Sequence, residues 1–151
     1  METIPLKEKK WATYDLSSLP IIKVKLKGKI TSQEEFDDFT KGWLEAYEMN
    51  QKFTFIFDAT EVGFVSTKYA FQMSDFIRKL KSDYDNSFLE RSFIIVNSFW
   101  VRSLLRLIFF YESPVAPVYV VNIKKNIDID TLINKIKNGS KLPNGVVEYK
   151  V

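Results

Sequence analysis

Residues 53–81 read FTFIFDATEVGFVSTKYAFQMSDFIRKLK, and this stretch decides the fold class. Its first five residues form a short apolar run that ends at Asp58, a pattern typical of a central strand covered on both faces. A helix is predicted to begin near Ser66 or Thr67. Its inward face is formed by apolar side chains at helical spacing, namely Tyr69, Met73, Phe76, Ile77 and Leu80. A strand followed by a helix is the repeating unit of an α/β sheet.

The same two patterns continue on both sides of this stretch. Further strands are predicted at residues 11–16, 21–26, 92–96 and 118–121, with an edge strand at 146–151. Three more helices are predicted from residues that favour the N-cap position. These candidate caps are Thr31 or Ser32, Asn97 and Ser98, and Asp128 or Asp130. The order of elements is two strands, then helix and strand in alternation.

This order predicts the fold class and the number of domains. Alternating strands and helices call for an α/β fold with a mostly parallel central sheet, of about five strands and about four helices. No linker or internal repeat interrupts the pattern, so residues 1–151 are predicted to form a single domain. Residues 1–10 are polar and are predicted to be a loosely ordered N-terminal segment.

The composition excludes several kinds of chemistry. The chain has no cysteine and no histidine, so it lacks thiolate nucleophiles, Ser-His-Asp machinery and the commonest metal ligand. It has no glycine-rich phosphate loop, and the helix dipole accounts for the acidic residues within 34–38. We therefore expect no catalytic residues, no metal and no cofactor. The enzymatic alternative that remains open is a carboxylate-dependent reaction at Asp58.

The charge and the N-terminus bear on partners and location. A net charge of +3 is a mild excess without a concentrated basic face, so a nucleic-acid partner is not expected. The first ten residues have no apolar core and do not resemble a signal peptide. No run approaches the roughly 18 apolar residues of a membrane span. We expect an intracellular, cytoplasmic protein.

Two segments of the chain read FIFDATEVGFVSTKYAFQMSDFIRKLK and SFIIVNSFWVRSLLRLIFFYESPVAPVYVV. They resemble the STAS domain, the fold of bacterial anti-sigma-factor antagonists and of the cytoplasmic tails of sulfate transporters. Asp58, Thr60, Val62 and the Phe64–Val65 pair match the first half of the family motif. The element order also resembles the wider group that includes CRAL-TRIO-like proteins, and the resemblance covers roughly residues 20–136. The resemblance to the STAS domain implies a regulatory module that binds protein partners. The resemblance to CRAL-TRIO-like proteins implies a carrier of an apolar ligand.

The second half of the family motif differs in this chain. Ser66, Thr67 and Lys68 stand where the family has an acidic residue and two serines. Lys68 aligns with the serine that is usually phosphorylated, and lysine cannot accept phosphate in that way. Thr67, and next to it Ser66, are the remaining phosphorylation candidates, because a phosphate at a helix N-terminus is favoured. The alternative is that Ser66 or Thr67 is the N-cap, which we favour.

The third helix carries more apolar residues than one buried face requires. Residues 99–111 read FWVRSLLRLIFFY, interrupted only by two arginines and one serine. The excess predicts a protein interface or a contact with a membrane surface; the alternative is a helix buried on both sides. Together with the turn after the central strand, the helix supplies the predicted partner-binding residues, which are Asp58, Thr60, Trp100, Leu104, Leu107, Phe110 and Tyr111.

The sequence supports three functional hypotheses without catalysis. The first is a STAS-like protein-interaction or regulatory module that binds a protein partner or itself as a homo-oligomer. The second is a lipid or apolar-ligand binding protein, with Phe36, Trp43, Phe76 and Phe109 lining a cavity. The third is a structural component of a larger assembly. For Asp58, the alternatives are a general base with a raised pKa and an acceptor of backbone N–H groups; we favour the second.

Overall fold

The computed structural model describes residues 10–84 and 88–151. Within them the chain forms six strands and four α-helices in the predicted order. The bounds are β1 (Ala12–Ser18), β2 (Ile21–Gly28), α1 (Gln33–Glu48), β3 (Phe53–Val62), α2 (Thr67–Asp83), β4 (Leu89–Val96), α3 (Phe99–Tyr111), β5 (Val118–Asn122), a short 3-10 helix (Ile123–Lys125), α4 (Ile129–Lys137) and β6 (Val146–Tyr149). Apart from Lys10, the N-terminal segment predicted to be loosely ordered lies outside the described residues.

The six strands form one mixed sheet in the sequential order β1-β2-β3-β4-β5-β6. Strands β2 to β5 are parallel, whereas β1 and β6 pair antiparallel at the two edges. The prediction of a mostly parallel sheet of about five strands is therefore only partly right. Only Leu19 and Pro20 separate β1 from β2, and a connection that short forces an antiparallel pair.

The helices are divided unequally between the two faces of the sheet. Helices α1, α2 and α3 pack on one face, where they share a core with Phe55, Phe57 and Ile94. Each joins neighbouring parallel strands, and right-handed crossovers in a sequential order place all three helices on the same side. Helix α4 covers part of the opposite face, where Leu132 packs against Phe93 and other side chains. The rest of that face, at β1, β2 and the end of β3, carries polar side chains.

The central strand β3 is longer than predicted. It continues past Asp58 to Val62, so the prediction that it ends at Asp58 is wrong. Lys25 of β2 lies opposite Asp58, and Lys27 lies opposite Glu61 in the parallel register. Opposite charges on adjacent strands stabilise the pairing, which keeps this polar stretch extended although it looks like a turn in the sequence.

The predicted helix starts are confirmed by their capping hydrogen bonds. Ser32 Oγ accepts from the backbone N–H of Glu35 at 3.3 Å, and Ser98 Oγ accepts from that of Val101 at 3.2 Å. Asp128 accepts from the N–H of Thr131 at 3.1 Å. Each cap satisfies an N–H group that lacks a partner inside its helix.

Candidate functional site

Asp58 is held in a polar cluster on the face of the sheet opposite α1, α2 and α3. Its Oδ2 accepts from Lys25 Nζ at 3.0 Å, and Lys25 also pairs with Glu61 at 2.6 Å. Its Oδ1 accepts from the backbone N–H of Thr60 at 3.0 Å and from the Thr60 hydroxyl at 2.6 Å. The interpretation of Asp58 as an acceptor of a following backbone N–H is confirmed.

The ionisation of Asp58 does not suit a general base. Partial burial alone would raise the pKa of this carboxyl, but the hydrogen bonds from Thr60 and the ion pair with Lys25 outweigh it. The net effect lowers the pKa of Asp58 below its ordinary value. A carboxylate with a lowered pKa is a weaker base, which is the opposite of the shift that the enzymatic alternative requires.

The structure does not bring Asp58 and Thr60 together with α3. Phe57 and Ala59 are buried against the helices, and successive side chains of a strand point to opposite faces. Asp58 and Thr60 therefore project from the other side of the sheet. A single partner surface cannot include both the Asp58 cluster and the exposed side of α3.

The start of α2 separates the roles of the two phosphorylation candidates. Ser66 is the N-cap, and its hydroxyl accepts from the backbone N–H of Lys68 at 3.3 Å. Thr67 is the first residue of the helix, and its side chain is exposed. The preferred interpretation of Ser66 as a cap is confirmed, whereas phosphorylation of Thr67 stays a prediction.

Helix α3 has both a buried and an exposed side. Leu104 is only 8% exposed and packs in the core, so it is not available as the partner-binding residue it was predicted to be. Leu107 is half-buried and also packs against the core. Trp100, Phe110 and Tyr111 are exposed, and Phe110 reaches 78%. Part of the apolar excess therefore covers the sheet, and part remains at the surface.

Neighbouring elements extend the exposed side of α3. Phe64, in the loop before α2, stacks on Trp100 with ring centroids 5.9 Å apart. Phe71 of α2 meets Tyr111 edge-on at 5.2 Å, and Tyr111 meets Phe110 at 5.1 Å. We call the following exposed rings the aromatic surface, which has one group at the start of α3 (Phe64, Phe99 and Trp100) and one at its end (Phe71, Phe110 and Tyr111).

Sequence reasoning did not select Phe64, Phe71 or Phe99 as contact residues. Phe71 lies off the inward stripe of α2, and this position was a usable signal that its ring is exposed. Phe64 directly follows Gly63 in a loop, where periodicity carries no information about burial. The stacking of Phe64 on Trp100 depends on two segments that are distant in sequence.

The charge beside the aromatic surface is positive. Helix α3 contains Arg102 and Arg106 and no acidic residue, and the Arg102 guanidinium lies 5.8 Å from the centre of the Phe99 ring. Neither arginine forms an ion pair with a described residue. Glu112, just beyond the helix, is already paired with Arg78 at 3.1 Å and with Lys81 at 2.8 Å.

A second candidate site is an apolar cavity of about 130 Å³ between the helices α1 to α3 and the sheet. Trp43 and Phe109 line it as expected, whereas Phe36 and Phe76 do not. Binding sites for drug-sized ligands have volumes of roughly 300–1,000 Å³. The volume therefore favours a compact ligand over a lipid.

The grouping of side chains and the composition of the helices in residues 10–84 and 88–151 bear on metal binding and on membrane crossing. In this part of the chain, no three acidic side chains are grouped so that they could hold a metal ion. None of its helices is both long enough and apolar enough to cross a membrane.

Comparison with known proteins assigns no family. No protein-family model matches the chain, and no curated protein matches it. The resemblance to the STAS domain consequently depends on the quoted motifs and on the order of the elements.

Proposed function

We propose that this chain is a non-catalytic, STAS-like interaction or regulatory module that binds a protein partner through the aromatic surface. The observation that carries the proposal is the set of exposed rings at α2 and α3, in which Phe110 is 78% and Phe64 is 63% exposed. Trp, Tyr, Phe and Arg are the residue types enriched at protein interfaces, and Trp, Tyr and Arg dominate their binding energy.

The charges indicate the chemistry of the partner. Arg102 and Arg106 stand beside the rings without a described ion pair, so an apolar segment flanked by acidic residues is complementary to this surface. A second copy would bring arginines from both chains to the same contact, and like charges in an interface are unfavourable. A different protein is therefore the preferred partner over self-association.

The STAS-like assignment accounts for the regulatory part of the proposal. The strands and helices follow one another in the order on which the resemblance to the STAS domain depends. Lys68 occupies the position of the usual phosphoserine, so we propose that binding does not depend on the usual phosphorylation switch. The absence of His and Cys and the lowered pKa of Asp58 support a role without catalysis. The absence of Cys fits a reducing compartment, and we place the role in the cytoplasm.

Site-specific photo-cross-linking in the native host tests the proposal. Benzoylphenylalanine is introduced at Phe110, and as a matched control at Val147, which is 53% exposed on the edge strand β6. We expect one protein to be cross-linked from position 110 and not from position 147. We also expect Phe110→Glu to abolish copurification of that protein, and Val147→Glu to leave it unchanged.

Three results would refute the proposal as stated. Identical cross-links from both positions would mean that the aromatic surface selects no partner. Cross-links only to a second copy, with a matching dimer mass by light scattering, would replace the partner with self-association. Sedimentation of the wild-type protein with anionic vesicles, and its loss in Phe110→Glu, would point to a membrane surface.

A further inference from the structure

The apolar cavity lies inside the domain and away from the Asp58 cluster. Its floor is formed by strand residues that include Phe57, Ala59 and Ile94, and its walls by residues of α1, α2 and α3. Nearly all of its lining side chains are apolar. Ser92 of β4 is the polar exception among the described lining residues, apart from the indole nitrogens of Trp11 and Trp43.

Two buried hydrogen-bonding groups of the cavity lining have no partner. Trp43 Nε1 and Ser92 Oγ form no hydrogen bond with any described residue, whereas Trp11 Nε1 donates to the backbone oxygen of Gly28. Both residues lie near Phe55: Ser92 lies opposite it in the sheet, and the Trp43 ring packs 4.8 Å from its ring. Buried polar groups without a partner are rare in native proteins and call for an explanation.

The cavity also approaches the surface. Its half-buried lining residues are Val62, Leu105, Phe109 and Val115. Three of these lie on α3 or in the loop that follows it, so a ligand can enter there through small movements of side chains. The remaining lining residues are buried, which shields a bound molecule from water.

We infer that this cavity binds a compact aromatic or similarly sized apolar molecule that carries one hydrogen-bond acceptor. The volume of about 130 Å³ is close to that of an engineered apolar cavity of about 150 Å³ that stays dry and binds benzene. An acceptor on the ligand would satisfy the Ser92 hydroxyl, which can donate. The inference does not depend on the aromatic surface and goes beyond the proposed function.

Toluene and phenol are the probes, because they are similar in size and only phenol has an acceptor. Binding is followed through the indole N–H resonance of Trp43, assigned with Trp43→Phe, in proton–nitrogen spectra of the full chain. We expect both probes to shift this resonance saturably. In Ser92→Ala, the ratio of phenol affinity to toluene affinity should fall by about twofold to tenfold, the range of one net hydrogen bond. Phenol and toluene differ in hydration, but this difference is the same for the wild type and Ser92→Ala, so it cancels when their affinity ratios are compared.

Variants that fill the cavity and a remote control locate the binding. Ala59→Ile and Ala116→Leu each enlarge a buried lining residue, and we expect either one to abolish the shift in a protein whose other resonances are retained. Ser17→Ala, on the exposed part of β1, should change nothing.

Three results would overturn the inference. One is the absence of any saturable shift by either probe, which would leave water as the occupant. Another is binding that survives both filling variants in folded protein. The third is an unchanged affinity ratio in Ser92→Ala, which would rule out the acceptor-bearing class of ligand.

Discussion

Replacing Gly42 by alanine should destabilise the protein, although alanine is the better helix former. Gly42 lies in α1, and a Cβ atom there would be 2.2 Å from Cε1 and 2.3 Å from Cζ of Tyr14. Carbon atoms in contact are about 3.5–4.0 Å apart, so the ring would have to retreat by more than about 1 Å. Tyr14 cannot move freely, because its hydroxyl donates to the backbone oxygen of Phe39 at 2.5 Å.

The magnitude follows from three opposing contributions. Overpacking costs about 1–3 kcal/mol, and weakening the Tyr14 hydrogen bond costs about 1 kcal/mol. The higher helix propensity of alanine returns about 1 kcal/mol. Gly42→Ala should therefore lower the free energy of unfolding by about 1–3 kcal/mol. In a Tyr14→Ala background the clash is absent, and the same change should raise it by about 1 kcal/mol.

The wild type, Gly42→Ala, Tyr14→Ala and the double variant form a double-mutant cycle. Urea denaturation of these four proteins, followed by circular dichroism, measures the coupling energy between positions 14 and 42. Gly63→Ala is the matched control, because the nearest atom to a Cβ there is at 3.4 Å, an ordinary contact. That control should not destabilise the protein. The reasoning is refuted if Gly42→Ala is more stable than wild type, or if its effect has the same sign and size in both backgrounds.

Three further predictions test the surface, the cavity and the polar cluster. Phe110→Glu should change the free energy of unfolding by less than about 0.5 kcal/mol, because the ring is exposed. Leu104→Ala should lower the free energy of unfolding by about 2–5 kcal/mol, because it leaves a cavity in the core. Equal losses of stability for the two variants in urea denaturation would contradict this prediction. Ser92→Ala should raise the free energy of unfolding by up to about 1–3 kcal/mol, since it removes a hydroxyl without a partner, and a clear loss in the same assay would show that the hydroxyl is satisfied. The stabilisation from Asp58 is fully present above the usual aspartate pKa of about 3.9 and is lost as pH falls through its lower folded value. Asp58→Asn should therefore narrow the difference in denaturation midpoint between about pH 7 and about pH 2.5. An unchanged difference would mean that the hydrogen bonds from Thr60 and the ion pair with Lys25 together do not stabilise the folded protein.

Local patterns were sufficient to predict the elements of the fold. The apolar run at Phe53 and the helical spacing after Thr67 each describe one segment, and the structure confirms both. Ser98 was recognised as a cap because its hydroxyl satisfies a backbone group only three residues away. Interactions of this range are encoded in a few consecutive residues.

The end of β3 and the edges of the sheet could not be predicted in this way. In the sequence, Asp58 and Glu61 are typical of a turn. In the structure, both pair with Lys25 of the neighbouring strand. The pairing partner comes from a strand about 33 residues earlier. Strand length in a sheet depends on such cross-strand partners.

By itself, the sequence determined that this protein is an α/β chain without histidine or cysteine chemistry and with an apolar excess in α3. Tertiary structure alone decided that Leu104 is buried while Phe110 is exposed, and that Asp58 faces away from α3. It also decided that Trp43 and Ser92 line one cavity. Periodicity relates the faces of one element to each other, but only packing determines which neighbour each face meets and where space remains.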